Sequence, residues 1–376
     1  MEKIQMVDLK GQYRQIKTEI DEAIQSVIDQ AAFINGSAVQ EFNTALSVYH
    51  QGAYVQSCGN GTDALQIALM ALDLEPGDEI ITPAFTYFAT VEVVLLLGLK
   101  PVFVDVTPHT FNLDPVLIEA AITPKTKAII PVHLFGHCAD MEPILAIAQK
   151  YKLKVIEDNA QSIGGSITYT DGSTQQAGLI GDISCLSFFP SKNLGCYGDG
   201  GAVVTKDEVL YKQMKAIANH GQFQKYQHEM TGINSRLDTI QAAILSVKLQ
   251  RLPQYNQARQ AVAKAYDDGF KQNPNIKIPF KAPGTVHVYH QYTLTLAGHI
   301  DRDHLKTALT DKGIPSMVYY PIPCHQQKAL TRIYPQQQSF PVAEQLSCTV
   351  LSLPIHTEMQ AEQIAYIIEQ VNLLTQ

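Results

Sequence analysis

The sequence predicts an α/β fold, with a mostly parallel sheet in a large domain and a small α/β domain at the C-terminal end. Short apolar runs rich in β-branched residues alternate with helical patterns over much of the chain, which is typical of strands joined by crossover helices. A long helical pattern then leads into a tail with strand-like runs of its own, such as HQYTLTL. The 376 residues suffice for two hydrophobic cores.

The elements of the large domain follow in chain order. Apolar residues at helical spacing run from Ile16 to Ile34, and a second helix is expected from Gly61 to Ala71. Strands bounded by Gly, Pro, Asp or Asn are expected at Glu79–Thr82, Lys100–Asp105, Ala128–His133, Lys154–Glu157, Ile183–Phe188 and Ala202–Thr205. Helices are expected between several of these strands, at Thr90–Leu97, Pro115–Ala121 and Met141–Tyr151.

The boundary between the two domains is predicted near Arg251. A helical pattern runs from Leu237 to about Lys264 and is interrupted at Pro253, and the residues beyond it return to alternating strand-like runs. We therefore expect a large domain over residues 1–250 and a small C-terminal domain over residues 251–376.

Composition and charge exclude several classes of function. The chain has 28 Lys and Arg against 36 Asp and Glu, a formal net charge of −8, and no long run of either sign, so nucleic acid is not an expected partner. The apolar run VEVVLLLGL is too short to cross a bilayer, and the N-terminus lacks the apolar core of a signal peptide. Six scattered cysteines without a C-x-x-C pair favour reduced thiols. We expect a cytoplasmic protein with no membrane partner.

Polar residues gather where three of the predicted strands end. The strand KVIE runs into Asp158 and Gln161, the strand ISCLSF runs into FPSKNLGCYGDGG, and the strand EIITP runs into AFTYFAT. Ligands of open α/β sheets bind outside the carboxyl ends of the strands. These three strand ends are therefore the predicted binding site.

Lys192 and Asp158 are the candidates for chemistry at this edge. An enclosed lysine has a lowered pKa and can condense with a carbonyl, although a single lysine in a loop is more often solvated. A carboxylate after a buried strand requires a positive partner, and the protonated nitrogen of a pyridine ring would serve. Asp158 could equally be a helix N-cap, with Gln161 at the third helical position.

Two further patterns suggest ligands. Residues 57–63, SCGNGTD, enter a helix through two glycines, so backbone N–H groups could bind a phosphate, but ordinary capping explains such a helix start as well. His133 and His137 precede Cys138 and Asp140, yet Pro131 and Gly136 disfavour the helix that would align two imidazoles on a metal ion. No metal site is expected.

Taken together, several blocks of sequence resemble the DegT/DnrJ/EryC1/StrS family of sugar aminotransferases. The blocks occur in order from near residue 8 to LSLPIH, and they are GNGTDAL, PAFTYFAT, VHLFGHCADM, IEDNAQS, SFFPSKNLGCYGDGGA and NSRLDTIQAA. The resemblance implies an aspartate aminotransferase-like fold, that of pyridoxal phosphate (PLP) enzymes of fold type I. It also implies PLP as cofactor.

The resemblance assigns roles to individual residues. Lys192 matches the lysine that carries the cofactor as a Schiff base, Asp158 the partner of its pyridine nitrogen, and Gln161 a residue near its phenolic oxygen. The remaining cofactor positions are an aromatic residue that stacks on the ring and residues that bind the phosphate, and they match Tyr87, Gly61, Thr62, Ser187 and Asn234. The family donates the residue matching Asn234 from the neighbouring subunit, which implies a homodimer with shared active sites.

The resemblance also implies a reaction and a class of substrate. Relatives with histidine in place of the lysine are dehydratases, so Lys192 favours transamination, with glutamate as the expected donor. Among family members, the sequence is similar to bacterial enzymes of O-antigen synthesis that aminate C3 of a UDP-linked 2-acetamido-3-oxo-hexuronic acid.

Four residues are expected to bind that sugar nucleotide. The resemblance implies that Arg236, Tyr319 and Tyr320 reach it from the partner subunit, and that His325 lies near it, although a satisfied histidine at the surface is the alternative for His325. Tyr319 departs from the histidine that is common in those relatives. The alternatives for function are an aminotransferase for a dTDP-linked 3- or 4-keto-6-deoxysugar, or a non-catalytic module that binds sugar nucleotides.

Overall fold

The computed structural model describes residues 3–334 and 338–376. Its α-helices, in chain order, are α1 (Leu9–Gln15), α2 (Lys17–Gln30), α3 (Ser37–Tyr49), α4 (Gly61–Met70), α5 (Ala89–Leu96), α6 (Pro115–Ala121), α7 (Met141–Tyr151), α8 (Glu208–Ile217), α9 (Thr239–Leu249), α10 (Leu252–Phe270), α11 (Arg302–Asp311), α12 (Lys328–Thr331), α13 (Pro341–Thr349) and α14 (Ala361–Leu374). Short 3₁₀ turns occur at Leu134–Gly136 and Cys324–Gln326.

The strands of the described residues form one large sheet and three small ones. In chain order they are β1 (Tyr54–Cys58), β2 (Glu79–Pro83), β3 (Lys100–Val104), β4 (Thr126–Ile129), β5 (Lys154–Asp158), β6 (Ser166–Thr168), β7 (Thr174–Gln176), β8 (Ile183–Ser187), β9 (Gly201–Thr205), β10 (Gln222–Gln224), β11 (Gln227–His228), β12 (Ile276–Lys277), β13 (Thr285–Val286), β14 (Tyr292–Leu296) and β15 (Val350–Leu353).

The large sheet confirms the predicted fold class. Its strand order is β1-β9-β8-β5-β4-β2-β3. Only β9 runs against its two neighbours, and the pairs from β8 to β3 are parallel. The third predicted strand, Ala128–His133, ends at Ile129, earlier than expected, because Pro131 has no N–H for the ladder. The strand β1 and the helices α3 and α8 were not among the predicted elements.

Helices cover both faces of this sheet. Apolar residues of α4, α5 and α8 pack against one face, where Ile80 points. Residues of α3, α6, α7 and α9 pack against the other, where Ile81 points. Successive residues of a strand point to opposite faces, so both faces of β2 are buried, as parallel sheets require. The carboxyl ends of β2, β5 and β8 consequently open at one edge between the helical layers.

A second core lies in the C-terminal part of the chain. It joins the end of α10 to α11, α14 and the sheet β12-β14-β15. Leu252, at the start of α10, belongs to the large core, whereas Val262 to Phe270 belong to the small one. Pro253 lies in the first turn of α10, where proline is tolerated, so the predicted long helix is two helices. Ile4 also packs in the second core, which departs from the predicted limits of 1–250 and 251–376.

None of the described helices combines the length and apolar character needed to cross a membrane. The first six residues of the run VEVVLLLGL lie in α5, whose residues Val91, Val93 and Val94 are buried against the sheet.

Candidate active site

A cavity of about 720 Å³ lies at the carboxyl ends of the parallel strands. Its walls come from the start of α4, from the loops after β2, β5 and β8, and from two segments of the C-terminal region. The cavity brings together most of the residues that the sequence predicted for the site, namely Gly61, Thr62, Tyr87, Asp158, Gln161, Ser187, Lys192, Tyr319 and Tyr320.

Lys192 lies in the loop between β8 and β9. Its backbone N–H donates to the carbonyl of Phe189 at 2.8 Å, which closes a turn and directs the side chain into the cavity wall. Desolvation lowers the pKa of Lys192 to about 8, although the negative charge of Asp158 acts to raise this pKa. The amine is therefore neutral, and nucleophilic, more often at physiological pH than an ordinary lysine.

Asp158 ends β5 and is buried. One carboxylate oxygen accepts a hydrogen bond from Thr90 Oγ1 at 2.8 Å, and the other accepts from the backbone N–H of Ala160 at 3.2 Å. Burial raises the pKa of Asp158, and the Thr90 hydroxyl is the largest influence that opposes the rise. A carboxylate offers about four acceptor sites, so Asp158 can accept a further hydrogen bond from a cationic ligand.

Thr90 and Thr86 were not among the predicted site residues. Their hydroxyls lie 3.2 Å apart, one helical turn from each other, and Thr86 lines the cavity. The two residues form a short chain of hydrogen bonds that ends on Asp158. Their spacing in PAFTYFAT, at positions i and i+4, was the signal that could have identified them.

Gln161 is held at both ends of its amide. Its oxygen accepts from the N–H of Phe135 at 2.7 Å, and its nitrogen donates to the hydroxyl of Tyr320 at 3.1 Å. The Tyr320 ring packs against Phe85 and lies 6.0 Å from the ring of Tyr87, which is 59% exposed. An aromatic face therefore remains open to a ligand.

Tyr319 and Tyr320 correct one expectation. Both were expected to reach the site of a partner subunit, but the structure places them in the cavity of their own chain. The bond between Tyr320 and Gln161 explains the position, because it ties residue 320 to the loop after β5. His290 and Gln291 also line the cavity and are buried; they were missed because they precede a strand-like run that carries no site motif.

The start of α4 can hold an anion. The first four N–H groups of a helix have no partner within the helix, and the helix dipole favours negative charge there. Asn60 caps the helix through the N–H of Asp63 at 2.8 Å. A Cβ on Gly61 would lie 2.6 Å from Cβ of Ser187, so glycine is what allows the helix start and the Ser187 hydroxyl to approach each other. Together with Thr62 they can bind a phosphate.

These groups fit pyridoxal 5'-phosphate. The amine of Lys192 suits the aldehyde, the spare acceptor capacity of Asp158 suits a protonated ring nitrogen, and the open face of Tyr87 suits the ring. The start of α4 suits the phosphate. All four features border one cavity.

Three predicted residues lie outside this cavity. Asn234 is exposed and pairs through its backbone with Asn219. Arg236 borders a second cavity of about 480 Å³, together with Lys212 and Lys215. Neither residue lines the first cavity of its own chain.

His325 also lies outside the cavity, and its role in substrate binding remains a prediction. Its Nε2 lies 3.1 Å from a carboxylate oxygen of Glu344, and its ring packs against Phe340 at a centroid distance of 4.8 Å. The side chain is 7% exposed. His325 is therefore held by Glu344 and Phe340, while its Nδ1 is buried without a hydrogen-bond partner among the described residues.

His133 and His137 are occupied by protein groups. Nε2 of His133 lies 2.8 Å from Glu157, and its Nδ1 accepts from the N–H of Ala139. Nδ1 of His137 bonds to the carbonyl of Cys138, and its Nε2 accepts from the N–H of Ala282. In the part of the chain that the structure describes, no group of His, Cys, Asp or Glu side chains could hold a metal ion.

Comparison with known proteins decides the family. The sequence model of the DegT/DnrJ/EryC1/StrS aminotransferase family matches residues 14–372. The chain belongs to this family. It is thus a pyridoxal phosphate-dependent sugar aminotransferase, and the sequence-based recognition is confirmed.

Curated relatives of this DegT/DnrJ/EryC1/StrS aminotransferase match over nearly their whole lengths. The UDP-2-acetamido-2-deoxy-3-oxo-D-glucuronate aminotransferase of Pseudomonas aeruginosa is 46% identical, over 97% of this chain and 98% of the relative. The UDP-N-acetyl-3-dehydro-alpha-D-glucosamine 3-aminotransferase of Acidithiobacillus ferrooxidans is also 46% identical, over 97% and 96%. The dTDP-3-amino-3,4,6-trideoxy-alpha-D-glucose transaminase of Streptomyces venezuelae is 38% identical, over 98% and 95%.

Solved structures of the family share the fold. DesV of S. venezuelae superposes with a TM-score of 0.95 at 38% identity, covering 100% of this chain and 99% of that chain. NtdA of Bacillus subtilis, solved with bound cofactor PMP, has a TM-score of 0.89 at 36% identity, over 96% of this chain and 82% of that chain. These likenesses confirm the aspartate aminotransferase-like fold predicted from the sequence.

Proposed function

We propose that this aminotransferase moves an amino group from glutamate to the C3 ketone of a UDP-linked 2-acetamido-3-oxo-hexuronic acid in the synthesis of bacterial surface polysaccharide, the O-antigen. The observation that supports the transfer reaction is that Lys192 and Asp158 line the same cavity. The choice of sugar is supported by two relatives of equal identity, whose names both give a UDP-linked 3-oxo sugar. They differ in whether the sugar carries a carboxylate.

Each residue of the cavity has a proposed task. When bound, the cofactor supplies an electrophilic carbonyl and an electron-withdrawing ring. Lys192 takes a proton from Cα of the donor at its Nζ and delivers a proton to C3 of the sugar, as general base and then acid. Asp158 accepts a hydrogen bond from the ring nitrogen and keeps a proton there, and Gln161, fixed by Tyr320, orients the ring edge.

Tyr87 and the start of α4 bind and orient the cofactor in the proposed site. The exposed ring of Tyr87 provides a stacking surface, and Gly61, Thr62 and Ser187 bind the phosphate. Holding the phosphate and the ring at two ends of the cavity fixes the distance from the reacting carbon to Lys192, which is where positioning contributes most to rate.

The activity assay is direct. The purified protein with its cofactor should lose its long-wavelength absorbance when glutamate is added, and the aminated sugar nucleotide should appear by mass spectrometry after the keto-sugar follows. Lys192→Ala should remove turnover and leave the melting temperature close to that of the wild type. Full activity in this variant would refute the role of Lys192.

We further propose a homodimer in which each site takes Asn234 and Arg236 from the partner. Among the described residues that line the cavity, Lys192 is the sole Lys or Arg, although a sugar nucleotide brings two phosphates and, in a uronic acid, a carboxylate. Arg236 could bind that carboxylate through two parallel hydrogen bonds. Arg236 does not line the cavity of its own chain, so the guanidinium would have to come from a second copy of the chain.

Complementation between two inactive variants tests the shared sites. A heterodimer of Lys192→Ala and Asn234→Ala, isolated with two different tags, would carry both defects in one site and none in the other. It should recover about half of the wild-type rate if sites are shared, since active sites of one dimer then act independently. A heterodimer without activity, from homodimers that are also inactive, would contradict the proposal.

A dTDP-linked keto-6-deoxysugar is the second candidate substrate, favoured by the relative from S. venezuelae. Comparing kcat/KM for the UDP-linked uronic acid, its non-carboxylated UDP analogue and the dTDP-sugar separates the candidates. Arg236→Ala should raise KM for the uronic acid and leave KM for the analogue unchanged. An equal effect on both substrates would remove the proposed carboxylate contact.

A further inference from the structure

A second lysine, Lys248 on α9, is buried beneath the loop that carries Lys192. Its side chain is 1% exposed, and desolvation lowers its pKa to about 8. Across residues 3–334 and 338–376, no carboxylate pairs with this ammonium. Burying a cation without a counter-ion costs free energy of folding. The groups that contact Lys248 therefore indicate why a lysine is found at this position.

Both partners of Lys248 belong to the loop between β8 and β9. Nζ donates to the carbonyl of Gly195 at 2.7 Å and lies 4.3 Å from the ring centroid of Tyr197. A charged donor and an aromatic face each favour the protonated amine. Lys248 therefore contacts the loop at Gly195 and Tyr197, three and five residues after Lys192.

A second residue of α9 contacts the same stretch. The side-chain oxygen of Gln241 accepts from the N–H of Tyr197 at 2.8 Å. Gln241 and Lys248 are two helical turns apart and so lie on one face of α9. Helix α9 is itself packed on α2 and α3, which makes it a firm support for the loop.

The loop folds back on itself at the point that Lys248 holds. The N–H of Cys196 donates to the carbonyl of Phe188 at 2.8 Å, and a Cβ on Gly195 would collide with the carbonyls of Phe189 and Pro190. The carbonyl of Phe189 is also the acceptor for the N–H of Lys192. A shift at Gly195 would thus be passed directly to the turn that aims Lys192.

We propose that Gln241 and Lys248 act as a two-point clamp that positions the Lys192 loop for the proton transfers of the reaction. Neither residue lines the cavity of about 720 Å³, so both are positioning residues. The inference rests on the role proposed for Lys192.

Lys248→Met removes the charge and the hydrogen bond at nearly constant volume, and Gln241→Leu removes the second point. Ser246→Ala is the matched control, because Ser246 lies on the same helix and its hydroxyl donates to the carbonyl of Ala242 within α9. Hydrogen exchange and steady-state kinetics are measured on the full-length enzyme with its cofactor. The pKa of Lys192 is measured on the full chain without cofactor, from the rate of labelling with an amine reagent as a function of pH.

For the Met variant, we expect amide exchange over residues 189–200 to quicken about tenfold or more, with α9 unchanged. The kcat should fall about tenfold while KM for the sugar stays within about twofold. The labelling pKa of Lys192 should rise from about 8 toward 10.5, because the loosened loop admits water. Gln241→Leu should move each quantity in the same direction by less, and the control should leave each quantity at its wild-type value.

The proposed clamp would be overturned if Lys248→Met kept the wild-type amide exchange, kcat and labelling pKa of Lys192 and showed only a lower melting temperature. If that variant does not fold, Gln241→Leu decides alone, and unchanged values there overturn it equally. Failure of the role of Lys192 is distinguishable, because Lys192→Ala would then retain activity while exchange of the loop still responded to Lys248.

Discussion

Replacing Thr90 by valine should shift the acid limb of the pH–rate profile. Valine has the shape of threonine but cannot donate the 2.8 Å hydrogen bond to Asp158. A hydrogen bond to a charged group contributes about 1.5–3 kcal/mol, and about 1.36 kcal/mol corresponds to one pKa unit. The pKa of Asp158, already raised by burial, should therefore rise by about one to two further units.

The sign of the effect follows from the required charge. In the proposed mechanism Asp158 acts as a carboxylate, so activity should be lost as pH falls through its pKa, and a higher pKa should move that loss to higher pH. The assay is kcat against pH between 5 and 9 at saturating glutamate and keto-sugar. Thr90→Ser keeps the hydroxyl and should retain the wild-type profile. An acid limb of Thr90→Val that coincides with the wild type would refute the hydrogen-bond reasoning.

Three further outcomes are expected. Gly61→Ala should weaken binding of the cofactor about tenfold or more in an absorbance titration, because its Cβ would lie 2.6 Å from Ser187, whereas Gly298→Ala, whose Cβ meets no atom, should bind normally. Lys248 has a folded pKa of about 8, below its unfolded value of 10.5, so the unfolded chain binds more protons between these pH values. As pH rises through this window, the free energy of unfolding of the wild type should increase relative to that of Lys248→Met, by about 3 kcal/mol in urea titrations. His325→Ala should lower the melting temperature and leave KM for the sugar unchanged, and an increased KM would restore a substrate role to His325.

The sequence was informative wherever chemistry and a strand end coincided. Asp158 and Lys192 follow buried strands, and strand order then brought them to one edge of the sheet. The start of α4 could be anticipated for a similar reason, since two glycines before a helix expose backbone N–H groups. These residues depend on local patterns that a single sequence displays.

Other parts of the site depend on contacts between distant segments. Thr90 meets Asp158 across 68 residues of sequence, and Lys248 meets Gly195 across 53. No local pattern encodes such a meeting. The position of His325 illustrates the same limit, because its contact with Glu344 is decided by how α13 packs and not by the motif around it. The strand β1 was missed because YVQSC mixes polar and apolar residues, and its pairing with β9 defines it as a strand.

The helix α9 joins two places that are otherwise far apart. It begins three residues after Arg236, and its first and last turns hold Tyr197 and Gly195 of the lysine loop. A helix rises about 1.5 Å per residue, so the rod from Thr239, just after Arg236, to Lys248 is about 14 Å long. In the proposed dimer, that rod would run from the arginine serving one site to the lysine loop of the other. Each copy of α9 would then serve both active sites of the dimer, one through Arg236 and the other through its support of the lysine loop.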